Sequence, residues 1–145
     1  MLRTITESEK IANNIVNDLS KKEDYCFKKL RIESYNRLFW IKKNQNKFNE
    51  AFAYIIKIKE ILKTIPEDSD YFYTLKYGSQ INMACVKSLL GYQNEAIQIL
   101  KETLKDYAKI KTDNEHSNYS KIQNHASIYN IIAEAYLNSS QSYNS

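Results

Sequence analysis

Glycine and proline are scarce in this chain, which has two glycines and one proline in 145 residues. A many-stranded sheet needs tight turns that these two residue types supply, so their scarcity argues against a mainly β fold. The hydrophobic fraction of 43% and the twelve tyrosines are enough for a packed core and argue against disorder. We therefore predict an all-α fold, and the length predicts a single domain over residues 1–145.

Long apolar runs are also missing. The start of the chain has no apolar stretch typical of a signal peptide, and no later window is long and apolar enough to cross a bilayer. The two cysteines, Cys26 and Cys85, each lie among core-like residues and are predicted to be buried free thiols, which fits a reducing compartment. We therefore predict a cytoplasmic protein without a membrane segment.

Charge of one sign is not concentrated anywhere. The 21 basic and 17 acidic residues give a net charge of +4 and are interspersed along the chain. The densest basic stretch, residues 21–31, is diluted by acidic and aromatic residues, whereas nucleic-acid binders usually concentrate basic side chains on one face. The charge pattern therefore disfavours a nucleic-acid partner.

The residues needed for catalysis or cofactor binding do not form any known pattern. Gly78 and Gly91 are too far apart for a glycine-rich phosphate loop, and neither His116 nor His125 has a cysteine or histidine at metal-ligand spacing. A cysteine nucleophile would have to be exposed beside His125, but the apolar pattern points both cysteines inward. We predict no enzymatic activity, no cofactor and no metal.

Apolar residues recur at helical spacing in six segments, which predicts six antiparallel helices. A capping box of Thr6 and Glu9 marks the first helix start. Pro66 ends the third helix, because the residue before proline is driven out of the α region. The predicted bounds are 7–21 for the first helix, 24–43 for the second, about residue 90 for the end of the fourth and 119–137 for the sixth, with a solvated loop at 111–118 and a frayed tail at 138–145.

The apolar stripes also predict which side chains face the core. Those predicted to face inward include Ile11, Tyr25, Cys26, Leu30, Leu38, Ala51, Ile55, Ala84, Leu89, Ala96, Leu100, Tyr129, Ile132, Ala133 and Tyr136.

Two turn-and-helix segments, residues 46–51 and 91–96, resemble each other and lie about 45 residues apart. An apolar helix precedes each of them and an apolar-striped helix follows. The asparagines of residues 44–47 and Gly91 suit the left-handed backbone that ends a helix. Self-similarity at such a period is typical of a solenoid of stacked helix pairs.

The repeat resembles the tetratricopeptide repeat (TPR) from about residue 35 to residue 140. The matching residues are Tyr35, Leu38, Asn46, Phe48 and Ala51, then Met83, Ala84, Gly91 and Ala96, then Tyr129, Ile132, Ala133, Tyr136 and Ser140. Phe39 departs from the family, which prefers glycine or alanine there, and the period exceeds the common 34 residues. Longer repeats of this kind resemble those of bacterial sensory and regulatory proteins, so the resemblance implies an α-α superhelix in such a protein.

Each TPR unit is a pair of helices, of which the earlier is a first-type helix and the later a second-type helix. The phase of the repeat makes the first helix of this chain a second-type helix and the sixth a first-type helix. The chain would then begin and end in mid-repeat, as a piece or a shortened relative of a longer array. Alternatively, the end helices are caps with polar outer faces.

In the TPR family the first-type helices line a concave groove. The resemblance places the groove positions at Asn36, Arg37, Trp40, Asn82, Cys85, Asn130 and Glu134. Amide side chains can bond the backbone of an extended peptide, and tryptophan and arginine dominate binding energies at interfaces. The simpler alternative is that Trp40 packs against the first helix and the asparagines are solvated.

These positions lead to two hypotheses about function. The first is a non-catalytic scaffold or sensor that binds a protein or peptide in the groove. A carboxylate clamp of the co-chaperone type is disfavoured, because Trp40, Ser127 and Ile131 occupy several positions that need basic or asparagine side chains. The alternative is a self-associating module that stacks through open repeat ends into a homo-oligomer.

Overall fold

The computed structural model describes residues 2–67, 70–107 and 115–143, and these residues form six helices and no strand. The helices are α1 (Leu2–Asp18), α2 (Tyr25–Asn44), α3 (Phe48–Leu62), α4 (Asp70–Leu89), α5 (Gln93–Tyr107) and α6 (Glu115–Tyr143). This confirms the all-α prediction. The chain divides into two compact units, unit 1 (residues 1–67) and unit 2 (residues 68–145). The single domain and the superhelix both stay predictions.

Unit 1 is built around α2, which packs against both α1 and α3. Between α1 and α2, Ala12 and Val16 are buried against Leu38, and Tyr35 and Tyr54 pack on this cluster. The other buried apolar residues of the three helices are Ile32 and Phe39 on α2 and Ala51, Ile55, Ile58 and Leu62 on α3. The inward face of α3 is therefore as predicted, whereas on α2 the prediction is confirmed at Leu38 and wrong at the exposed Tyr25, Cys26 and Leu30.

Unit 2 is a three-helix arrangement in which α4 contacts both α5 and α6, and α5 also contacts α6. Its core contains Ile81 and Ala84 from α4, Ala96 and Leu100 from α5, and Ile128 from α6. Removing this apolar surface from water is the main stabilising contribution, at roughly 25 cal/mol per Å².

The joint between α2 and α3 recurs between α4 and α5. Asn46 has φ 59° and Gly91 has φ 93°, the left-handed backbone expected at a helix end. In the first joint the N–H of Lys47 donates to the carbonyl of Lys42 at 2.9 Å, and 45 residues later Tyr92 donates to Lys87 at the same distance. The internal repeat seen in the sequence is therefore present in the backbone geometry.

The same 45-residue shift relates a pair of ion pairs across the joints. Lys42 lies 3.2 Å from Glu50, and Lys87 lies 2.9 Å from Glu95. Each lysine is in the last turn of one helix and each glutamate is in the first turn of the next. The charges also suit the helix ends on which they lie.

The predicted bounds of the first and the sixth helix are wrong at both ends. Because α1 begins at Leu2 and ends at Asp18, Thr6 is inside the helix and is not its cap. The sixth helix begins at Glu115 and continues to Tyr143, so residues 115–118 are not a loop and residues 138–143 are helical. No glycine or proline interrupts residues 115–143, so nothing in this stretch breaks the helix. The rest of the predicted loop, residues 111–114, lies outside the described residues.

The predicted inward face of α6 is also wrong. Among the α6 residues whose side chains the structure describes, Tyr129, Ala133 and Tyr136 are exposed, Ile132 is only partly buried, and the buried positions are instead Ile128 and Ala135. The helix carries two apolar stripes, and the sequence pattern does not indicate which of them the neighbouring helices cover. Other residues predicted to face inward but exposed in the structure are Ile11, Tyr25, Leu30 and Leu89.

Both cysteines are free thiols, as predicted, but their burial differs from the prediction. Cys26 is exposed and Cys85 is only partly buried. Cys26 is the second residue of α2, beyond the part of that helix that contains its buried residues, which explains its exposure. In the described parts of the chain, no helix combines the length and the apolar character needed to cross a membrane.

Candidate functional site

A groove of about 490 Å³ runs between α1 and α2 in unit 1. Its lining is Glu7, Ser8, Ile11, Ala12 and Ile15 from α1 and Leu30, Glu33, Ser34 and Arg37 from α2. We call this surface the α1–α2 groove. The lining extends over eight positions on α1, from Glu7 to Ile15, and over seven on α2, from Leu30 to Arg37, which is about two helical turns or roughly 10–12 Å.

Large aliphatic side chains in the α1–α2 groove are exposed. Ile11 is 60% exposed and Leu30 is 44% exposed. The other residues of the lining include Ala12 and Ser34, which are small and buried and form a floor that leaves room for an incoming side chain. Covering exposed aliphatic surface is favourable, and an apolar floor with charged groups at its edge is typical of a protein-binding site.

Polar contacts fix α1 against α2 at both ends of the pair. Arg37 donates from Nη1 to the hydroxyl of Ser8 at 3.2 Å, and Arg31 donates from Nη1 to the carbonyl of Ser20 at 2.7 Å. The guanidinium groups of both arginines therefore reach across to the α1 side. The Arg37–Ser8 hydrogen bond joins the two walls directly, because both residues line the groove.

Lys42 links α1 to both other helices of unit 1. Its ammonium nitrogen lies 2.7 Å from Oε1 of Glu9 on α1 and 3.2 Å from Oε2 of Glu50 on α3, and only 8% of the residue is exposed. The hydrogen bond with Glu9 raises the pKa of Lys42 above its ordinary value against the opposing effect of burial, and Glu50 adds to the increase. The ammonium therefore stays charged and holds α1 in position beside the groove.

Tyr54 on α3 lies beside this ion cluster. Burial raises the pKa of its phenol above the ordinary value, and the positive charge of Lys42 partly opposes that increase. Its ring centroid is 5.9 Å from that of Tyr35. The phenol stays neutral and serves as packing between the helices.

The residues predicted for a binding groove in unit 1 all lie on α2. Arg37 lines the α1–α2 groove, whereas Asn36 is only partly exposed and is not among the groove residues. Trp40 is 45% exposed, with its ring edge-on to Phe39 at 5.3 Å and Nζ of Lys43 lying 4.5 Å from the ring centroid. Trp40 is thus partly exposed, and its role in binding stays a prediction.

The other predicted groove residues lie in unit 2. Asn82 and Cys85 are partly exposed on α4, while Asn130 and Glu134 are exposed on α6. A single groove that combines them with the α2 residues would need both units, so this groove stays a prediction.

The apolar groove residues Ile11 and Leu30 were missed as a site because the helical pattern assigns them to the core. The signal that could have found them is the excess of apolar residues on α1. In the part of α1 whose side chains the structure describes, the buried residues are Ala12 and Val16, so Ile11 and Ile15 form a second stripe beside them. A helix with two apolar stripes has more apolar surface than one neighbour can cover.

Among the described residues, no group of three or more histidine, cysteine, aspartate or glutamate side chains could hold a metal ion. The arrangement in the α1–α2 groove offers apolar contact, hydrogen bonds from Ser8 and Ser34, and charges from Glu7, Glu33 and Arg37. Comparisons with protein-family models, curated proteins and solved structures found no match to this chain.

Proposed function

We propose that this chain is a non-catalytic protein-binding module and that the α1–α2 groove receives an amphipathic helical segment of its partner. The observation that carries the proposal is the exposure of Ile11 and Leu30 in a two-walled groove two turns long. A groove between two helices suits a third helix that contributes side chains at i, i+3, i+4 and i+7. The resemblance to TPR arrays supports the same class of function and suggests the regulatory part of a larger bacterial protein.

The rim of the groove is suited to orienting such a segment. Arg37 lies at one end of the α2 wall and Glu7 at the corresponding end of the α1 wall, while Glu33 is one turn from Arg37. Charges at the edge of an apolar site select among partners and orientations more than they add affinity. The partner is therefore expected to carry polar residues on either side of an apolar stripe.

A second candidate function is self-association. The observation that favours it is a second exposed apolar surface, on α6, where Tyr129 is 61% exposed and Leu137 is 62% exposed. An apolar stripe on one copy can cover a groove on another, which would bury both.

Peptide selection tests the groove directly. A displayed library of helical peptides is selected on the full chain, and the affinities of the recovered peptides are measured for the chain and for Ile11→Asp. We expect Ile11→Asp to weaken binding at least about tenfold, because it places a charge under the apolar face of the peptide. Ile56→Asp is the matched control, since Ile56 is an exposed isoleucine on α3 outside the groove.

Two further variants separate this groove from the longer groove implied by the TPR resemblance. In that longer groove, Trp40→Ala and Asn82→Ala should each weaken binding by ~1–2 kcal/mol and leave the helical content unchanged. A peptide that binds the Trp40→Ala and Asn82→Ala variants more weakly than the native chain, but binds the Ile11→Asp variant as well as the native chain, would contradict the α1–α2 groove. Peptides that respond to none of the three variants would contradict both sites.

A further inference from the structure

We infer that the partner of the α1–α2 groove is helix α6 of a second copy of this chain, an inference that rests on the groove function proposed above. The exposed stripe of α6 consists of Ala126, Tyr129, Ala133, Tyr136 and Leu137, and we call it the α6 stripe. Its first four members are spaced by three, four and three residues. This is the spacing of a helix that packs lengthwise against other helices.

The dimensions and side chains of the two surfaces match. Tyr129 and Tyr136 are seven residues apart, which is the same two turns that separate Ser8 from Ile15 and Leu30 from Arg37. Ala133 between the tyrosines lets the helix backbone approach closely, and the two rings can occupy the space above the small floor residues. The hydroxyl of Tyr129 would remain at the rim, where tyrosine is most favourable, and the hydroxyl of Tyr136 accepts a hydrogen bond from Nζ of Lys101 in its own chain at 3.3 Å.

Unit 2 shows how one helix covers the surface between two neighbouring helices. There α4 lies against α5 and α6 together and buries Ile81 and Ala84 against Leu100 and Ile128. In unit 1 the described lining of the α1–α2 groove comes from α1 and α2, and its large aliphatic side chains Ile11 and Leu30 stay exposed. In the proposed contact, α6 of a second copy lies across α1 and α2 in the same way that α4 lies across α5 and α6.

The charges of the two units favour this head-to-tail contact over a contact between two grooves. Residues 1–67 carry 14 basic and 9 acidic side chains, a net charge of +5, whereas residues 68–145 carry 7 basic and 8 acidic side chains, a net charge of −1. Joining unit 1 of one copy to unit 2 of another brings opposite net charges together. Joining two copies of unit 1 would bring +5 against +5.

Analytical ultracentrifugation of four single variants and one mixture tests the contact. Ile11→Asp damages the groove and leaves α6 intact, while Ala133→Asp damages the α6 stripe and leaves the groove intact. Ile56→Asp and Ala53→Asp place the same substitutions on exposed positions of α3 and serve as matched controls. Circular dichroism shows whether each variant keeps its helical content.

We expect the mass of the native chain and of both controls to rise with concentration beyond that of a dimer, because a head-to-tail contact repeats along a series of copies or closes into a ring. Ile11→Asp and Ala133→Asp should each dissociate at least about tenfold more readily. An equimolar mixture of the two should form dimers and nothing larger, because such a mixture contains a single intact combination of groove and stripe.

Three outcomes would overturn the inference: a strictly monomeric native chain, an Ile11→Asp variant that associates like the native chain, or a mixture that stays monomeric. These outcomes are separable from a failure of the groove function. A monomeric chain that still binds selected peptides through Ile11 keeps the groove and removes the second copy as its occupant. A chain that is monomeric and also binds no selected peptide through Ile11 would contradict the groove function as well.

Discussion

Lys42 shows how one side chain can set the position of a binding surface without belonging to it. Its ammonium is shared by Glu9 of α1 and Glu50 of α3, so it ties the three helices of unit 1 together. The pair with Glu9 is the shorter of the two and Glu9 is the less exposed carboxylate. A displacement of α1 would separate Ile11 from Leu30, so the Glu9–Lys42 pair acts on the groove through helix position.

We expect Glu9→Gln to lower the free energy of unfolding by about 1–2 kcal/mol, because it removes the stronger charge partner of a nearly buried ammonium. Glu50→Gln should cost less, since that carboxylate is mostly exposed. Glu60→Gln is the control: Glu60 pairs with Lys57 at 3.8 Å in solvent, and the change should stay within about 0.5 kcal/mol. Urea unfolding measures all three, and equal effects of Glu9→Gln and Glu60→Gln would contradict the role of Lys42.

At the scale of helices and joints, the joints were the most predictable part of the chain. The similarity of residues 46–51 and 91–96 follows from local rules, because a left-handed residue and a helix start depend on few neighbours. The structure reproduces that similarity down to hydrogen bonds and ion pairs 45 residues apart. Local chemistry was sufficient there.

The faces of the end helices were less predictable. On α6 the choice between Tyr129 and Ile128 as the buried residue depends on where α4 and α5 lie, which is information from distant parts of the chain. The same holds for Ile11 on α1. The sequence therefore predicts only part of the candidate site: it indicates Arg37, but its apolar pattern places the exposed Ile11 and Leu30 in the core.

The two glycines allow a paired test of the joint. At both positions a Cβ atom would meet no atom within 4 Å, so alanine differs from glycine there only in backbone preference. Gly78 lies inside α4, and Gly78→Ala should raise the free energy of unfolding by about 0.5–1 kcal/mol. Gly91 has φ 93°, where alanine is strained, so Gly91→Ala should lower the free energy of unfolding by about 1 kcal/mol. Thermal and urea unfolding measure whether each substitution stabilises or destabilises the chain. If both stabilised it or both destabilised it, the left-handed joint at Gly91 would be contradicted.

At the scale of the whole molecule, the uneven distribution of charge limits how copies can meet. A unit of about 70 residues has a radius that puts two touching units roughly 25 Å apart. In water at that distance, charges of +5 and −1 attract by about 0.8 kcal/mol, whereas charges of +5 and +5 repel by about 4 kcal/mol before screening by salt. Because each copy carries a net charge of +4, the repulsion between whole copies offsets this small attraction.

Salt dependence therefore distinguishes the two arrangements. If the α6 stripe fills the α1–α2 groove, the contact is mainly apolar, and the association constant should change by no more than about threefold between about 0.01 M and 1 M salt. A contact between two copies of unit 1 should instead tighten by at least about tenfold, because salt screens the repulsion between like charges. Sedimentation equilibrium across this range, with Ile56→Asp as the control for a lost surface isoleucine, measures the slope. A steep increase in association with salt would contradict the head-to-tail arrangement even if Ile11→Asp abolished it, because such an increase would place two grooves rather than a groove and a helix at the contact.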